Sequence, residues 1–195
     1  MARHSETVEP RGRARGRSPL LGGATFELRH RVARVAWSTC WILFARWTPP
    51  QLQPLRRLVL RAFGADIHPT AMVRSSVKIW WPGNLKMGER ASLGPGAICY
   101  NVASVTIEDF AIVSQRAHLC TGTHDIDDPD FPLRARPIKV GRNAWVAAEA
   151  FVGPGVHIGE GAVLGARAVT FRNLEDWTVY GGNHAKPLRS RKKIV

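Results

Sequence analysis

Residues 140–169 read VGRNAW-VAAEAF-VGPGVH-IGEGAV-LGARAV, five six-residue units that each begin with an aliphatic residue. The second position is often Gly, and the fifth is nearly always a small residue. Residues 87–104 and 107–124 follow the same rule with a two-residue slip between them, and weaker units open the series at Ile67. A helix of 3.6 residues per turn cannot keep an aliphatic on one face every six residues. A single strand cannot run unbroken through Gly-Pro-Gly either.

Short strands joined by turns satisfy both constraints. Three units then close one triangular coil, in which the aliphatic side chains point inward and stack on those of the next coil. The small fifth residue fits where a turn crowds the interior, and Gly at the second position is expected to tolerate strained turn geometry. The sequence therefore predicts a mainly β fold, a parallel β-helix built from hexapeptide repeats.

The region before the repeat has a different character. Residues 1–25 are rich in Arg, Gly and Pro and predict a disordered basic tail. Apolar residues spaced by Arg predict a helix from Phe26 to Trp47 that ends at Pro49-Pro50. A second helix is expected from Leu55 to Phe63, with Gly64 as its stop. We therefore divide the chain into a tail (1–25), a helical segment (26–64), a β-helix domain (65–182) and a basic C-terminal tail (183–195).

The first predicted helix carries four large aromatic residues among its arginines. Such a helix can pack on the main domain, or it can lie on a membrane surface. The sequence leaves both alternatives open. The aromatic residues are Trp37, Trp41, Phe44 and Trp47.

The net charge of +13 is concentrated at the two ends of the chain. Residues 64–180 are nearly neutral, so the excess suits anionic partners of the ends, such as phosphate groups, acidic lipids or nucleic acid. Three cysteines without paired spacing argue against a disulfide framework and indicate a reducing cytosol. We expect no signal peptide, and the longest apolar stretch is shorter than the ~20 residues that span a bilayer.

The repeat register is lost between Thr123 and Ile138, which predicts a loop over residues 123–137. His124 lies where the coil departs into this loop, beside the carboxylates of Asp125, Asp127, Asp128 and Asp130. An imidazole can accept a proton near neutral pH, and a nearby carboxylate could hold its tautomer. A surface salt bridge is the alternative interpretation of the same pattern.

Together these features give a specific resemblance. Residues 120–133 (CTGTHDIDDPDFPL), 137–147 (PIKVGRNAWVA) and 153–166 (GPGVHIGEGAVLGA), with the closing GNHAKPL at 182–188, resemble the hexapeptide-repeat acetyltransferases, closest to the colanic acid biosynthesis acetyltransferase branch. The resemblance implies a left-handed β-helix, a homotrimer with active sites between subunits, and acetyl-CoA as co-substrate without a metal. It also implies that His124 is the general base for direct acetyl transfer to a hydroxyl.

The resemblance further assigns binding residues. It implies that Asn101 contacts the acceptor, although Asn101 could be a plain turn residue. Asp125 and Trp81 are further expected acceptor contacts, and Trp81 could stack on a sugar or merely cap the early coils. Two departures from the family pattern stand at Thr170-Phe171-Arg172 and at Asn183-His184-Ala185, and the first puts a phosphate contact in doubt. The positions expected to bind CoA are Trp145, Ala147, Ala148, Gly165, Ala166, Thr170, Arg172, Lys186 and Arg189.

The implied acceptor is a sugar hydroxyl in an exopolysaccharide or a lipid-linked glycan precursor. The expected location is the cytoplasm, with contact to the inner face of the membrane and no nucleic acid partner. Two other classes stay open: a noncatalytic β-helix scaffold, and a metalloenzyme similar to γ-class carbonic anhydrases that would use His118, His124 and His157. Cys120 is a weak candidate nucleophile, whereas Cys99 occupies an inward position and is expected to be core.

Overall fold

The computed structural model describes residues 24–193, in which the hexapeptide units form strands of mostly two or three residues wound into a parallel β-helix. Three sheets make its faces. Face I consists of β1 (Asp66–Ile67), β4 (Leu85–Met87), β7 (Val105–Ile107), β12 (Ile138–Val140) and β15 (His157–Ile158). Face II consists of β2 (Met72–Val73), β5 (Ser92–Leu93), β8 (Ile112–Val113), β13 (Trp145–Val146), β16 (Val163–Leu164), β18 (Thr178–Gly181) and β19 (Lys186–Ser190). Face III consists of β3 (Lys78–Ile79), β6 (Ile98–Tyr100), β9 (His118–Cys120), β14 (Phe151–Val152) and β17 (Val169–Thr170).

Strand pairing is parallel within the faces, and it places equivalent residues of successive coils directly above one another. On face III, Cys99 pairs with Leu119, and Leu119 with Val152. These side chains are almost fully buried, as are the alanines at the corners. The predicted repeat therefore describes the core correctly. The exception to parallel pairing is β19, which lies antiparallel to β18 and belongs to the segment assigned to the C-terminal tail.

The glycines at the second repeat position serve a different purpose from the one expected. The left-handed backbone falls at the fourth position instead, for example at Arg90 (φ 50°) and Gly96 (φ 68°). A Cβ at Gly94 would lie 2.7 Å from the carbonyl carbon of Ser114 in the next coil. The second-position glycine is thus required by close backbone approach between coils, and the expectation of strained turn geometry there was wrong.

Two helices precede the β-helix. Helix α1 spans Leu28–Phe44, and α2 spans Gln53–Ala62 after a short 3₁₀ turn at Pro50–Leu52. Gly64 has a positive φ of 88°, as a glycine stop predicts. Both helices were therefore predicted to within a few residues at their ends. The predicted disorder of residues 1–25 falls almost entirely outside the described residues.

Helix α2 closes the first coil with an arginine that is almost fully buried. The Arg56 guanidinium donates to the carbonyl of Val73 through Nε (2.9 Å), and through Nη1 to the hydroxyl and carbonyl of Thr48. It also donates to the carbonyls of Pro49 and Pro50. A buried charge without hydrogen bonds would be costly, and the five acceptors remove this cost for Arg56.

Helix α1 packs one side on face III and leaves the other uncovered within residues 24–193. Trp37 and Trp41 are buried, and the Trp37 indole donates to the carbonyl of Ile79 (2.9 Å). On the opposite side, Leu28, Val32, Val35 and Ile42 are each more than half exposed. None of the helices in the described part of the chain is long and apolar enough to cross a membrane.

Candidate active site

The interruption of the repeat is a β-hairpin. Strand β10 (Gly122–His124) pairs antiparallel with β11 (Leu133–Ala135), and His124 lies opposite Leu133. The hairpin leaves the corner between face III and face I, directly after β9. On β11, Leu133 and Ala135 belong to a second apolar cluster together with Phe26 and Val102. The start of the N-terminal helical segment therefore supports the hairpin that carries the candidate base.

His124 is exposed, and two contacts to Phe131 fix its ring. The rings stack with centroids 4.3 Å apart and an angle of 10° between their planes. The Nδ1 atom lies 2.9 Å from the carbonyl oxygen of Phe131. Because a carbonyl oxygen only accepts hydrogen bonds, Nδ1 carries the proton in this geometry. The Nε2 lone pair is then available to accept a proton.

Asp125 and Asp128 of the hairpin contact groups other than the His124 ring. Asp125 pairs with Arg134 across the hairpin (3.3 Å), and Asp128 Oδ1 accepts from the backbone N–H of Asp130 (2.9 Å). Where the sequence suggested a carboxylate as the acceptor for the His124 ring, the structure has the backbone carbonyl of Phe131. A contact of Asp125 with an acceptor stays a prediction.

Asn101 and Trp81 occupy the same corner in the preceding coils. The Asn101 side chain is fully buried; its Nδ2 donates to the Trp81 carbonyl (2.7 Å) and its Oδ1 accepts from the Trp81 N–H (3.1 Å). The Trp81 ring is partly buried and contacts Phe63 and His30. These contacts fit a turn residue in the case of Asn101 and a cap on the early coils in the case of Trp81. The acceptor-binding roles of both residues remain predictions.

Four of the expected CoA-binding residues share one corner, between faces II and III. Ala147 and Gly165 are equivalent in successive coils, with the Ala147 N–H bonded to the Leu164 carbonyl (2.9 Å). Ala148 and Ala166 are the next pair along the chain. Trp145 precedes this corner on β13, is 43% exposed, and donates from Nε1 to the Ser114 hydroxyl (2.8 Å). The corner therefore offers small residues beside an exposed indole.

A second group lies at the C-terminal end of face III. Thr170, Arg172 and Lys186 line an open cleft of about 550 Å³. The cleft also includes Phe171 and His184, for which no sequence pattern predicted a place in a site. The Thr170 hydroxyl is buried and donates to the Arg172 carbonyl (2.8 Å), so that it shapes the turn carrying Arg172. Arg189, on the exposed strand β19, is not among the lining residues.

Neither a nucleophilic cysteine nor a metal site finds much support in the described residues. Cys99 is buried, which raises its pKa to about 12. Burial also raises the pKa of Cys120, whereas a nucleophilic cysteine needs a lowered pKa. Within residues 24–193, no group of three or more His, Cys, Asp or Glu side chains is placed to hold a metal ion.

Comparisons with known proteins identify the family. The model for bacterial transferase hexapeptide (six repeats) matches residues 137–172. The colanic acid biosynthesis acetyltransferase WcaF of Escherichia coli is 39% identical over 155 residues, which covers 80% of this chain and 85% of WcaF. The chain belongs to the hexapeptide-repeat acetyltransferases.

Solved structures show the same architecture as this hexapeptide-repeat acetyltransferase. A maltose O-acetyltransferase from Clostridium difficile 630 superposes with a TM-score of 0.75 at 22% identity, covering 86% of this chain and 90% of that one. The acetyltransferase VCA0836 from Vibrio cholerae in complex with acetyl coenzyme A gives a TM-score of 0.70 at 19% identity, with coverages of 85% and 91%. At these identities the likeness establishes the fold.

Proposed function

We propose that this acetyltransferase transfers an acetyl group from acetyl-CoA to a hydroxyl of a sugar or glycan precursor in cell-surface polysaccharide biosynthesis, with His124 as general base. The observation that carries the proposal is the geometry of His124. A hydrogen bond and a stacked ring hold its imidazole, and its Nε2 is unprotonated when the ring is neutral. The assignment of the acceptor class draws support from the similarity to WcaF over most of both chains.

In the proposed step, Nε2 of His124 removes the proton of the acceptor hydroxyl as its oxygen attacks the thioester carbonyl. A C–O bond forms, the C–S bond breaks, and CoA leaves as the thiolate, so no acyl-enzyme is required. The Nδ1–H bond to Phe131 strengthens as the imidazole becomes positively charged, because hydrogen bonds from charged donors are stronger.

For acetyl-CoA, we propose the corner of Ala147, Ala148, Gly165 and Ala166, flanked by Trp145. The small side chains allow close approach to backbone N–H and C=O groups. Arg172 and Lys186, which line the C-terminal cleft together with Thr170, provide two cations for CoA phosphates, and Arg189 extends this positive charge along β19.

We also propose a homotrimer with active sites between subunits. Met72, Ile112 and Trp145 lie in one outward row along face II, in which Ser92 separates Met72 from Ile112, and each of the three is more than two-fifths exposed. A second copy of the chain would cover this row. Sedimentation should show a trimer for the wild type and smaller species for Ile112→Glu; an unchanged trimer would place the interface elsewhere.

For location, we propose the cytoplasm with contact to the inner membrane face through α1. Its exposed side combines Leu28, Val32 and Val35 with Arg31, and no residue of α1 is acidic. Vesicles of phosphatidylglycerol should sediment the protein, and neutral vesicles should not. The Val32→Glu/Val35→Glu variant should remain in the supernatant with both; equal sedimentation of the two proteins would exclude this face.

The decisive experiment measures thiol release from acetyl-CoA with sugar and lipid-linked sugar acceptors. His124→Ala should lower acceptor-dependent release by about 10²–10⁴-fold, the usual contribution of a general base. His157→Ala, which removes an exposed histidine from face I, is the matched control and should retain activity.

Retained release in His124→Ala would assign the base elsewhere. Absence of CoA binding by calorimetry, together with no release on any acceptor, would favour the noncatalytic scaffold. Thermal unfolding of both variants should match the wild type, because both histidines are exposed.

A further inference from the structure

A groove of about 290 Å³ runs along the line where α1 packs on the first two coils of face III. Three cations line it: Arg34 and Arg46 from the α1 region, and Lys78 from β3. Aromatic rings form much of the rest, among them Trp41 and Trp80. Among the described residues that line this α1 groove, none is acidic. The groove is therefore positively charged, with apolar walls.

Two N–H donors of the groove residues lack an acceptor within residues 24–193. The Trp41 side chain is only 6% exposed, and its Nε1 is buried without a hydrogen-bond partner. The Nε of Arg34 is also buried without a hydrogen-bond partner. The Arg34 guanidinium lies over the Trp80 ring, 3.0 Å from its centroid. Because buried donors without partners are costly, a ligand that supplies oxygen acceptors fits here.

The α1 groove also adjoins the His124 hairpin. Tyr100 lines the groove and contacts Trp80, with ring centroids 5.0 Å apart. The other side of Tyr100 lies so close to Gly122 of β10 that a Cβ there would be 2.8 Å from the Tyr100 ring. A molecule bound in the groove is thus separated by one side chain from the strand that carries His124. The residues proposed for CoA lie in later coils.

The outer end of the groove combines two aliphatic side chains with basic and hydroxyl-bearing ones. A second depression of about 340 Å³ continues along α1 and shares Arg34, Ser38 and Ile42 with the groove. Val35 and Arg31 line this continuation, and Val35 is 67% exposed. The inner part alone is at the lower limit of volumes for small-molecule sites, so it suits one group of a larger ligand.

We propose that the α1 groove is a subsite for the phosphate or diphosphate group of a phosphate-bearing sugar acceptor, whose apolar carrier continues along Val35 and Ile42. This inference rests on the proposed acetyl transfer to a sugar hydroxyl and names the class of acceptor. The anionic oxygens pair with the exposed cations Arg46 and Lys78 and accept from the Arg34 guanidinium. A nucleoside carrier presents the same phosphate chemistry, so binding must be compared between the two carriers.

The test is calorimetric titration of the full chain with farnesyl diphosphate, dTDP-glucose and CoA. Arg46→Glu/Lys78→Glu reverses two exposed groove cations; Arg74→Glu/Arg90→Glu makes the same charge change at exposed positions outside the groove. We expect farnesyl diphosphate to bind the groove variant at least tenfold more weakly than the wild type. The control variant should bind as the wild type does, and CoA should bind all three proteins equally.

Each result has a distinct meaning. Binding of dTDP-glucose alone, weakened only by the groove substitutions, would retain the phosphate subsite and assign the carrier to a nucleoside. Equal affinity of the groove and control variants for both diphosphates, or no binding of either, would overturn the subsite while CoA binding leaves the proposed transferase intact. If the wild type does not bind CoA, the proposed function is refuted. The two diphosphate titrations would still decide whether the groove binds phosphate.

Discussion

In the coils, every inward side chain has a counterpart in a neighbouring coil, whereas the hairpin of β10 and β11 occurs once and has no counterpart. The coils obtain their stability from stacks such as Cys99, Leu119 and Val152. The hairpin buries little beyond Leu133 and Ala135, which belong to the cluster of Phe26, and it exposes His124 opposite Leu133. Stability and the proposed chemistry are therefore separated along the chain, and substitutions should separate them as well.

The largest effect is expected for Leu119→Ala, immediately before the hairpin. This side chain is fully buried between two coils, so truncation should lower the free energy of unfolding by about 2–5 kcal/mol. Ile126→Ala, at the hairpin tip where Ile126 is 78% exposed, should change it by less than about 0.5 kcal/mol. Urea denaturation measures both. Similar losses would mean that the hairpin is covered in the assembled protein.

A smaller effect distinguishes the two glycine positions within the coils. Gly94→Ala should cost about 1–3 kcal/mol, because its Cβ meets the backbone of Ser114 in the next coil. Gly96→Asn should be nearly neutral, because Gly96 has a positive φ that Asn tolerates, and Cβ space is limited there only by the flexible Arg116 side chain. If Gly96→Asn were less stable than Gly94→Ala, strained turn geometry would again explain the glycine at the second position.

For the hairpin, Phe131→Ala removes the ring stacked on His124 and keeps the carbonyl that accepts from it. We expect kcat/KM to fall by about tenfold through looser positioning of the imidazole, with unchanged thermal stability. Phe131→Tyr retains the stacked ring and should restore the rate. If both variants lose activity equally, the stacking does not position the base.

The smallest expected effect is a pH dependence from His118 on β9. Burial lowers its pKa below the ordinary value of 6.5. The unfolded chain therefore binds more protons as the pH falls, and the folded protein loses stability between pH 6.5 and the lower folded pKa. The melting temperature should fall less in His118→Leu than in the wild type between about pH 7.5 and about pH 5.5. An identical fall would assign the dependence to other groups.

The sequence predicted the coils well because a stack of identical environments repeats the same residue type at each step. It could not predict the left-handed fourth position, since Arg90, Phe110 and Glu149 share no side-chain property and the backbone there accepts any of them at modest cost. The partner of His124 was missed for a related reason. A backbone carbonyl leaves no signal in the sequence, whereas the neighbouring carboxylates drew attention as acceptors.

The α1 groove was also outside the reach of sequence patterns. The aromatic and basic residues of α1 were recognised, but their meaning depends on which side of the helix packs on face III. Trp41 turns inward with an unsatisfied N–H, while Val35 turns outward. Only the packed structure brings Lys78 of a distant repeat unit beside Arg34 and Arg46.

The two ends of the β-helix determine its length. A parallel coil with unpaired edges is a template on which another chain could continue the stack, in the manner of a growing fibre. Arg56 prevents this at one end, because its guanidinium occupies the Val73 carbonyl that a preceding coil would otherwise bind. At the other end, β19 reverses direction and presents Lys186 and Arg189 to solvent. Removal of α2 or β19 should therefore expose a coil edge that is open to end-to-end stacking of chains.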